Sequence, residues 1–369
     1  MAKKKQDKRD ELLKELEKVE RKIRRLYVNT YRAAVEIKAV RKAIESGEDF
    51  TWSGNKAAAE QLQKLLDSLA NQMNTYLRNA TSEVWDTAEE RLHSTLASVL
   101  ASTPKQMEEI EAITERSRED MRSRGATAHD YLGEKRGGLT ISDRVWKITD
   151  ASQQEIETII QNGIKQGKTT EEVARSVQPY LREPHRLFRR VRNKETGRLE
   201  LSEAAKKYKP GQGVYRSSYM NALRLARTEI TGAYRRAEWE SYQNNPLIIG
   251  YRIELSNNHT TLINGVPTPF HDICDDMVGR YPKTFKWTGW HPQCRCRMVP
   301  ITISQTDFKN RMKALASGKM DKWEPRRTIS KMPSNFNKWI DKNSDRIANA
   351  RALPFWMQDN PDTVSDIRG

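Results

Sequence analysis

Glu11 to Ile44 reads ELLKELEKVERKIRRLYVNTYRAAVEIKAVRKAI. Leu12, Leu16, Val19, Ile23, Leu26, Thr30, Ala33, Ile37, Val40 and Ile44 recur at alternating spacings of four and three, and charged residues fill most positions between the first of them. That pattern predicts a long helix with a coiled-coil seam, in which Thr30 is the one polar member. A seam of this kind needs a partner helix, from the same chain or from another copy. Ser46-Gly47 ends the run, glycine supplying a left-handed cap. A second apolar stripe, Leu62, Leu65, Leu69, Met73, Tyr76, Ala80, Val84, Ala88, Leu92, Leu96 and Val99, predicts a helix from about Lys56 to Ala101 as an intramolecular partner. Thr103-Pro104 stops it and starts the next helix, through Met107, Ile110 and Ile113.

Beyond the glycines at 133, 137 and 138, short helices resume at Ser142. One presents Ile156, Ile159, Ile160 and Ile164; the next is capped by Thr169 or Thr170 and ends near Pro179. After Pro184 the character changes. Leu187 to Arg192, the turn Asn193 to Gly197, and Arg198 to Leu201 predict a β-hairpin. Ser217 or Ser218 starts a helix carrying Met220, Leu223, Ala226, Ile230, Tyr234 and Ala237. Strands are expected at Ile248–Leu255 and Met298–Ile303. The tail beyond Thr306 reads as polar helix with Phe336, Trp339, Ile340 and Ile347 as its apolar contacts.

These elements give a mostly α fold: a basic coiled-coil arm (1–50), a helical region (51–141), a small α+β domain (142–305) and a helical C-terminal extension (306–369). Of the 369 residues 36% are hydrophobic and 31% charged, which argues against one large compact enzyme core. The most apolar run, Leu247-Ile248-Ile249, is far short of the ~20 residues that cross a bilayer, so a soluble protein without membrane contact is expected. Lys3-Lys4-Lys5 is followed by polar residues instead of an apolar stretch, unlike a secretory leader. Three cysteines crowded into one segment fit a reducing compartment better than a disulfide framework.

The formal charge is +16. Through Ile44 there are 15 basic and seven acidic residues, and from Arg182 to Arg236 there are 15 basic and five acidic. These two segments carry the whole excess. Localised positive charge fits a polyanion, most simply DNA held through its phosphates without sequence reading, with Arg186, Arg189, Arg190, Arg192, Lys206, Lys207 and Lys209 as candidate contacts. Solvated faces of a coiled coil and hairpin would show the same composition.

Phe270-His271-Asp272-Ile273-Cys274-Asp275 and Trp290-His291-Pro292-Gln293-Cys294-Arg295-Cys296 hold all three cysteines and two of the six histidines. Two ligands on a knuckle and two on a distant strand suit a tetrahedral zinc site. The set expected is His271, Cys274, Cys294 and Cys296, with His291 as a substitute for one of them. Cys294 and Cys296, two apart, face one side of a strand. Four protein ligands leave no open position, so such zinc is structural. A metal-free knot of buried thiols packed by Trp287 and Trp290 is the alternative.

With Leu225-Ala226-Arg227-Thr228-Glu229-Ile230 on a helix, then Asp272-Ile273-Cys274-Asp275 and Gly279, then His291-Pro292-Gln293-Cys294-Arg295-Cys296, the chain resembles the head morphogenesis domain of tailed phages, the Mu F-like minor head proteins. The resemblance spans roughly Ser142 to Ile303. Family members often carry a second cysteine where His271 stands, and Ser256-Asn257-Asn258-His259 replaces their Asp- and Arg-rich strand. The resemblance implies a minor capsid component in few copies, associated with the portal and other capsid or scaffold subunits. It implies entry into the procapsid, a place in the virion head, and contact with DNA during packaging and ejection. In that setting the N-terminal seam is an assembly surface, self-association included.

Enzymatic readings are weaker. Glu238-Trp239-Glu240 superficially matches the Glu-x-Glu pair of ADP-ribosyltransferase toxins, but it continues an amphipathic helix. A metal-dependent nuclease built on His271-Asp272 and Asn257-Asn258-His259 needs an open metal site. Gly211-Gln212-Gly213 lacks a full phosphate-binding fingerprint. Arg227 and Glu229 are expected to form a structural ion pair or cap, not a catalytic pair.

Overall fold

In the computed structural model the expected single helix is two, α1 (Lys8–Val35) and α2 (Lys38–Ser46), separated by a break at Ile37, and α2 is closed by Gly47 in the left-handed conformation at φ 73°. The structure describes residues 8–183, 191–193, 196–201, 215, 217–256, 260–263, 266–269 and 271–368. Arg186, Arg189, Arg190, Lys206, Lys207, Lys209 and the residues Asn257-Asn258-His259 lie outside them. α3 (Lys56–Leu100) ends where Thr103 accepts the N–H of Gln106 to cap α4 (Pro104–Ser123), with Pro104 in its first turn. The chain is mostly helical, with α6 (Ile141–Asp150), α7 (Ser152–Lys165), α8 (Thr170–Arg182) and α9 (Ser218–Gln243) following α5 (Ala128–Gly133). No described helix is long and apolar enough to cross a membrane.

Two compact units emerge: Lys14–Ala80 with Gly133–Arg227, and Met1–Leu13 with Thr81–Leu132 and Thr228–Gly369. The expected boundaries at 50, 141 and 305 do not coincide with these units, because α3 and α9 each supply residues to both.

In the first unit the buried face of α1 passes through Val19 and Ile23 as the seam predicts, then follows Tyr27, Tyr31 and Ala34, while Ala33 is exposed. The stripe follows the 3.6-residue period of a straight helix, and two tyrosines, too large to leave in water cheaply, set its direction. Tyr27 packs on Tyr219 with ring centroids 5.6 Å apart. Tyr31 donates a 2.6 Å hydrogen bond to Glu155 of α7, whose carboxylate also accepts the N–H of Ser218 at 3.2 Å. Trp52 is held on α7 through its N–H to Glu157 (3.0 Å) and its indole N–H to the carbonyl of Gln153 (3.2 Å). α8 starts with a capping box between Thr169 and Glu172 and runs past Pro179 to Arg182. β1 (Val191–Arg192) and β2 (Leu199–Glu200) pair antiparallel as the expected hairpin. Arg192 is exposed and donates to the carbonyl of Gly197 at 2.7 Å.

Gly163 lets α7 approach α8 closely: a Cβ there would stand 2.3 Å from Val173 Cγ2. Val173 is fully buried, so Gly163→Ala should destabilise this unit by about 1–3 kcal/mol, read as a lower urea midpoint. Burial raises the pKa of Glu155 against the hydrogen bonds from Tyr31 and Ser218. A carboxyl whose folded pKa exceeds its unfolded one is deprotonated first in the unfolded chain, so it costs stability as pH rises from about 4 upward. Glu155→Gln should therefore gain on the wild type between pH 4 and pH 8, and a constant difference in urea midpoint would contradict it.

In the second unit β3 (Ile248–Glu254) is the centre of an antiparallel sheet, flanked by β6 (Gly279–Tyr281) and β7 (Arg297–Thr302). Tyr251 sits opposite Tyr281 on one side and Pro300 on the other. A separate hairpin joins β4 (Thr260–Ile263) and β5 (Val266–Pro269). The core over the sheet is aromatic, with Tyr281, Phe285, Trp290, Phe336 and Trp356 in mutual contact. Phe336 lies on α12 (Ser334–Lys342), Trp356 on the short α13 (Phe355–Gln358), and Phe308 on α11 (Gln305–Ala316). The expected C-terminal extension is thus part of the sheet unit's core. Asn360 fastens it further, accepting the N–H of Lys286 and donating to its carbonyl, both at 2.7 Å.

Candidate metal centre

Asp272 turns the chain into α10 (Ile273–Asp276), its carboxylate accepting the N–H of Cys274 at 2.7 Å. This cap points the Cys274 side chain inward, where it is 2% exposed. From the other side come Trp287 to Cys296. His291 to Cys294 form a turn closed by the Cys294 N–H on the His291 carbonyl (3.1 Å), with Gln293 at φ 62°. Thr228 of α9 accepts the Gln293 N–H at 3.1 Å and so holds that left-handed residue in place. The chain then extends into β7. Cys294, Cys296 and Met298 are buried and Arg295 is exposed, the alternation expected of an extended segment.

Cys274 Sγ lies 3.7 Å from Cys294 Sγ and 3.1 Å from His291 Nε2. The ligand atoms of these three residues all fall within 4.8 Å of one another, near enough to hold a metal ion. His291 Nδ1 is 2.8 Å from the carbonyl of Pro292. A proton on Nδ1 would satisfy that carbonyl and leave the Nε2 lone pair facing the thiols. Cys296 is buried next to this close group but is not one of its three members. All three cysteines are free thiols.

The thiols do not share one acidity. Hydrogen bonding with Cys294 and Cys296, together with burial, pushes Cys274 far up. Burial opposes the Cys294 thiolate, but hydrogen bonds from Cys274 and Cys296 and the charge of Arg235 outweigh it and hold its pKa well below that of a free thiol. For Cys296 the hydrogen bond from Cys274 pulls downward, while Cys294 and burial push it up to about 12.

His271 stands apart from this group. Its side chain is 72% exposed and its Nε2 lies 3.4 Å from Asp276, so the imidazole beside Cys274 belongs to His291. The reason is the Asp272 cap, which orients the knuckle with Cys274 inward and His271 toward solvent. Arg227 enters a structural ion pair, and Glu229 is buried. Arg227 holds Glu20 of α1 through two hydrogen bonds, 2.6 and 2.9 Å. Glu229, 1% exposed, lies 3.1 Å from the Tyr131 hydroxyl. On a helix, residues two apart diverge in direction, and each found its own partner.

Arg235 carries no part in the sequence motifs, yet it organises the loop. It is 4% exposed and donates to the carbonyls of Thr288 (3.1 Å), Cys294 (2.7 Å) and Cys296 (2.6 Å). Its guanidinium stacks 4.7 Å from the Trp287 ring. Gly289, at φ +134°, leaves room for it, since a Cβ there would stand 2.7 Å from Arg235 Nη1. Glu238 is paired with Arg91, and Glu240 with Arg124 (3.1 Å) and Arg236 (2.7 Å), so both carboxylates of the Glu-x-Glu triplet are buried in ion pairs. Comparison with family models, curated proteins and solved structures gives no match.

Proposed function

We propose that this chain is a minor head protein of a tailed phage or prophage, of the Mu F-like class, in which a zinc ion stiffens the Cys/His knot. The observation that carries the reading is the hydrogen bond from Gln293 to Thr228, residues 65 apart in sequence. It joins the Arg227-Thr228-Glu229 helix to the His291-Pro292-Gln293-Cys294-Arg295-Cys296 turn, two of the three stretches on which the resemblance rests. Two unrelated chance matches would have no reason to touch.

The donor set fits zinc. With Zn–S bonds of about 2.3 Å, thiolates at the tetrahedral angle stand about 3.8 Å apart, close to the 3.7 Å between Cys274 and Cys294. With a fourth protein ligand, the buried thiols and partly buried imidazole would make a closed structural site, unlike the open site a nuclease needs. The Glu-x-Glu pair is neutralised by arginines, which removes the carboxylates a toxin-type transferase would use.

The rest of the reading concerns assembly. α1 supplies a helical surface for the portal, for capsid or scaffold subunits or for a second copy, and the basic segments contact DNA non-specifically inside the head. Co-expressed with the portal protein from its own genome, the full chain should co-purify with portal rings and be found by mass spectrometry in purified heads. Absence from both would overturn the reading. Duplex DNA should bind with log K falling steeply and linearly with log salt and with little sequence preference. Affinity unchanged on raising salt several-fold would remove DNA from the partners, and reproducible plasmid nicking with divalent metal would favour the nuclease instead.

A further inference from the structure

Arg235 presents an electrostatic imbalance. A guanidinium does not deprotonate in proteins, and a buried charge is costly unless an opposite charge answers it. Elsewhere in the same unit buried charges are answered: Glu238 by Arg91, Glu240 by Arg124 and Arg236, Arg311 by Glu109. Among the described residues no carboxylate lies within ion-pair distance of Arg235. Its three hydrogen bonds go to the carbonyls of Thr288, Cys294 and Cys296, which are dipoles without net charge.

The anion it lacks is supplied if the knot holds a divalent ion on three thiolates. Two thiolates and two neutral ligands give a neutral centre; three thiolates and one imidazole leave a charge of −1. We propose that Cys274, His291, Cys294 and Cys296 bind a soft divalent cation of the zinc class as a three-thiolate, one-imidazole centre, and that Arg235 is its buried counter-ion. This rests on the metal reading of the knot given above. Cys296, which lies outside the three residues whose ligand atoms all fall within 4.8 Å of one another, would be drawn in as the fourth ligand, because it faces the same side as Cys294, with Arg295 turned outward. The Pro292 carbonyl at His291 Nδ1 is the outer partner that orients a metal-bound imidazole. Asp272, whose second oxygen lies 3.3 Å from His291 Nε2, is engaged in capping the Cys274 N–H and is the rival fourth ligand. Thiolate-rich coordination selects zinc or cobalt over magnesium or calcium.

The test uses the full chain, stripped with a chelator and titrated with Co²⁺, whose visible absorption reports tetrahedral geometry and whose ultraviolet charge-transfer intensity scales with thiolate number. Cys296→Ser should lose about a third of that intensity. Arg235→Gln should bind Co²⁺ about 10–100-fold more weakly, the range for outer-shell partners, whereas Arg235→Lys, which keeps the charge, should stay nearer the wild type. Cys296→His keeps four ligands and removes one negative charge, so it should cost less affinity in Arg235→Gln than in the wild-type chain. A positioning role for Arg235 without charge balance would make the two losses additive and would place Lys beside Gln, and either result overturns the counter-ion. Unchanged intensity in Cys296→Ser overturns the three-thiolate set and points to Asp272. Absence of any Co²⁺ spectrum in the wild type overturns the metal reading itself. Should Arg235→Gln fail to fold, the Lys variant and the Cys296→Ser spectrum still decide.

Discussion

Stripping metal from the full chain with a chelator is expected to lower the unfolding free energy of the unit containing the knot by about 4 kcal/mol, the stabilisation given by a ligand present at about 1,000 times its dissociation constant. Cys294→Ser should produce a similar loss, and the variant should then be indifferent to chelator. Cys294 is 3% exposed and touches Cys274 at 3.7 Å, so a serine hydroxyl there is a poor zinc ligand and a buried polar group in an apolar surround. Urea unfolding followed by tryptophan fluorescence reads the effect directly, because Trp287 and Trp290 are fully buried beside the knot. A wild type whose midpoint ignores the chelator would reduce the knot to packed thiols. The loss in Cys294→Ser would then shrink to the ordinary cost of a buried hydroxyl, about 1–3 kcal/mol.

Long periodic elements were legible in the sequence. The helix expected from about Lys56 to Ala101 runs Lys56–Leu100, and the strand expected at Ile248–Leu255 runs Ile248–Glu254. Both have several turns or alternations of pattern and a definite stop. β6 is not legible because three residues carry no period; its position is fixed by the pairing of Tyr281 with Tyr251. A strict heptad puts the α1 stripe through Leu26 and Thr30, but a straight helix drifts about 20° per heptad from that repeat. By the third heptad the buried residues are Tyr27 and Tyr31 instead of Leu26 and Thr30.

At the candidate site the cysteines were legible from crowding alone. Spacing could not choose between His271 and His291, since each lies within three residues of a cysteine and only the Asp272 cap decides which faces inward. Arg235 was illegible for a different reason. In Tyr234-Arg235-Arg236 it reads as more surface charge, and only the fold reveals that one arginine meets Trp239 and Glu240 while the other reaches three carbonyls of the knot.

Trp356→Ala is expected to cost about 3–5 kcal/mol, the range for deleting a buried aromatic side chain. Its ring is fully buried, with centroids 5.2 Å from Trp290, 5.8 Å from Phe336, 6.0 Å from Trp339 and 6.4 Å from Phe285. Collapse cannot fill the space, because the neighbouring rings are large and already in contact with one another. The lesion would reach the knot's own wall, since Trp290 immediately precedes His291. Leu315→Ala is the matched control: Leu315 is 45% exposed in the same C-terminal region, and its loss should stay within about 0.5 kcal/mol. The comparison separates two pictures of residues 306–369. If they merely trail from the domain, the two variants should unfold alike. If they complete its core, Trp356→Ala alone should fall by several kcal/mol. A chain ending at residue 305, which loses Phe308, Phe336, Ile340 and Trp356 together, should then fail to fold the sheet unit at all, because these four side chains contribute about 1.5–3 kcal/mol each against a total stability of about 5–15 kcal/mol.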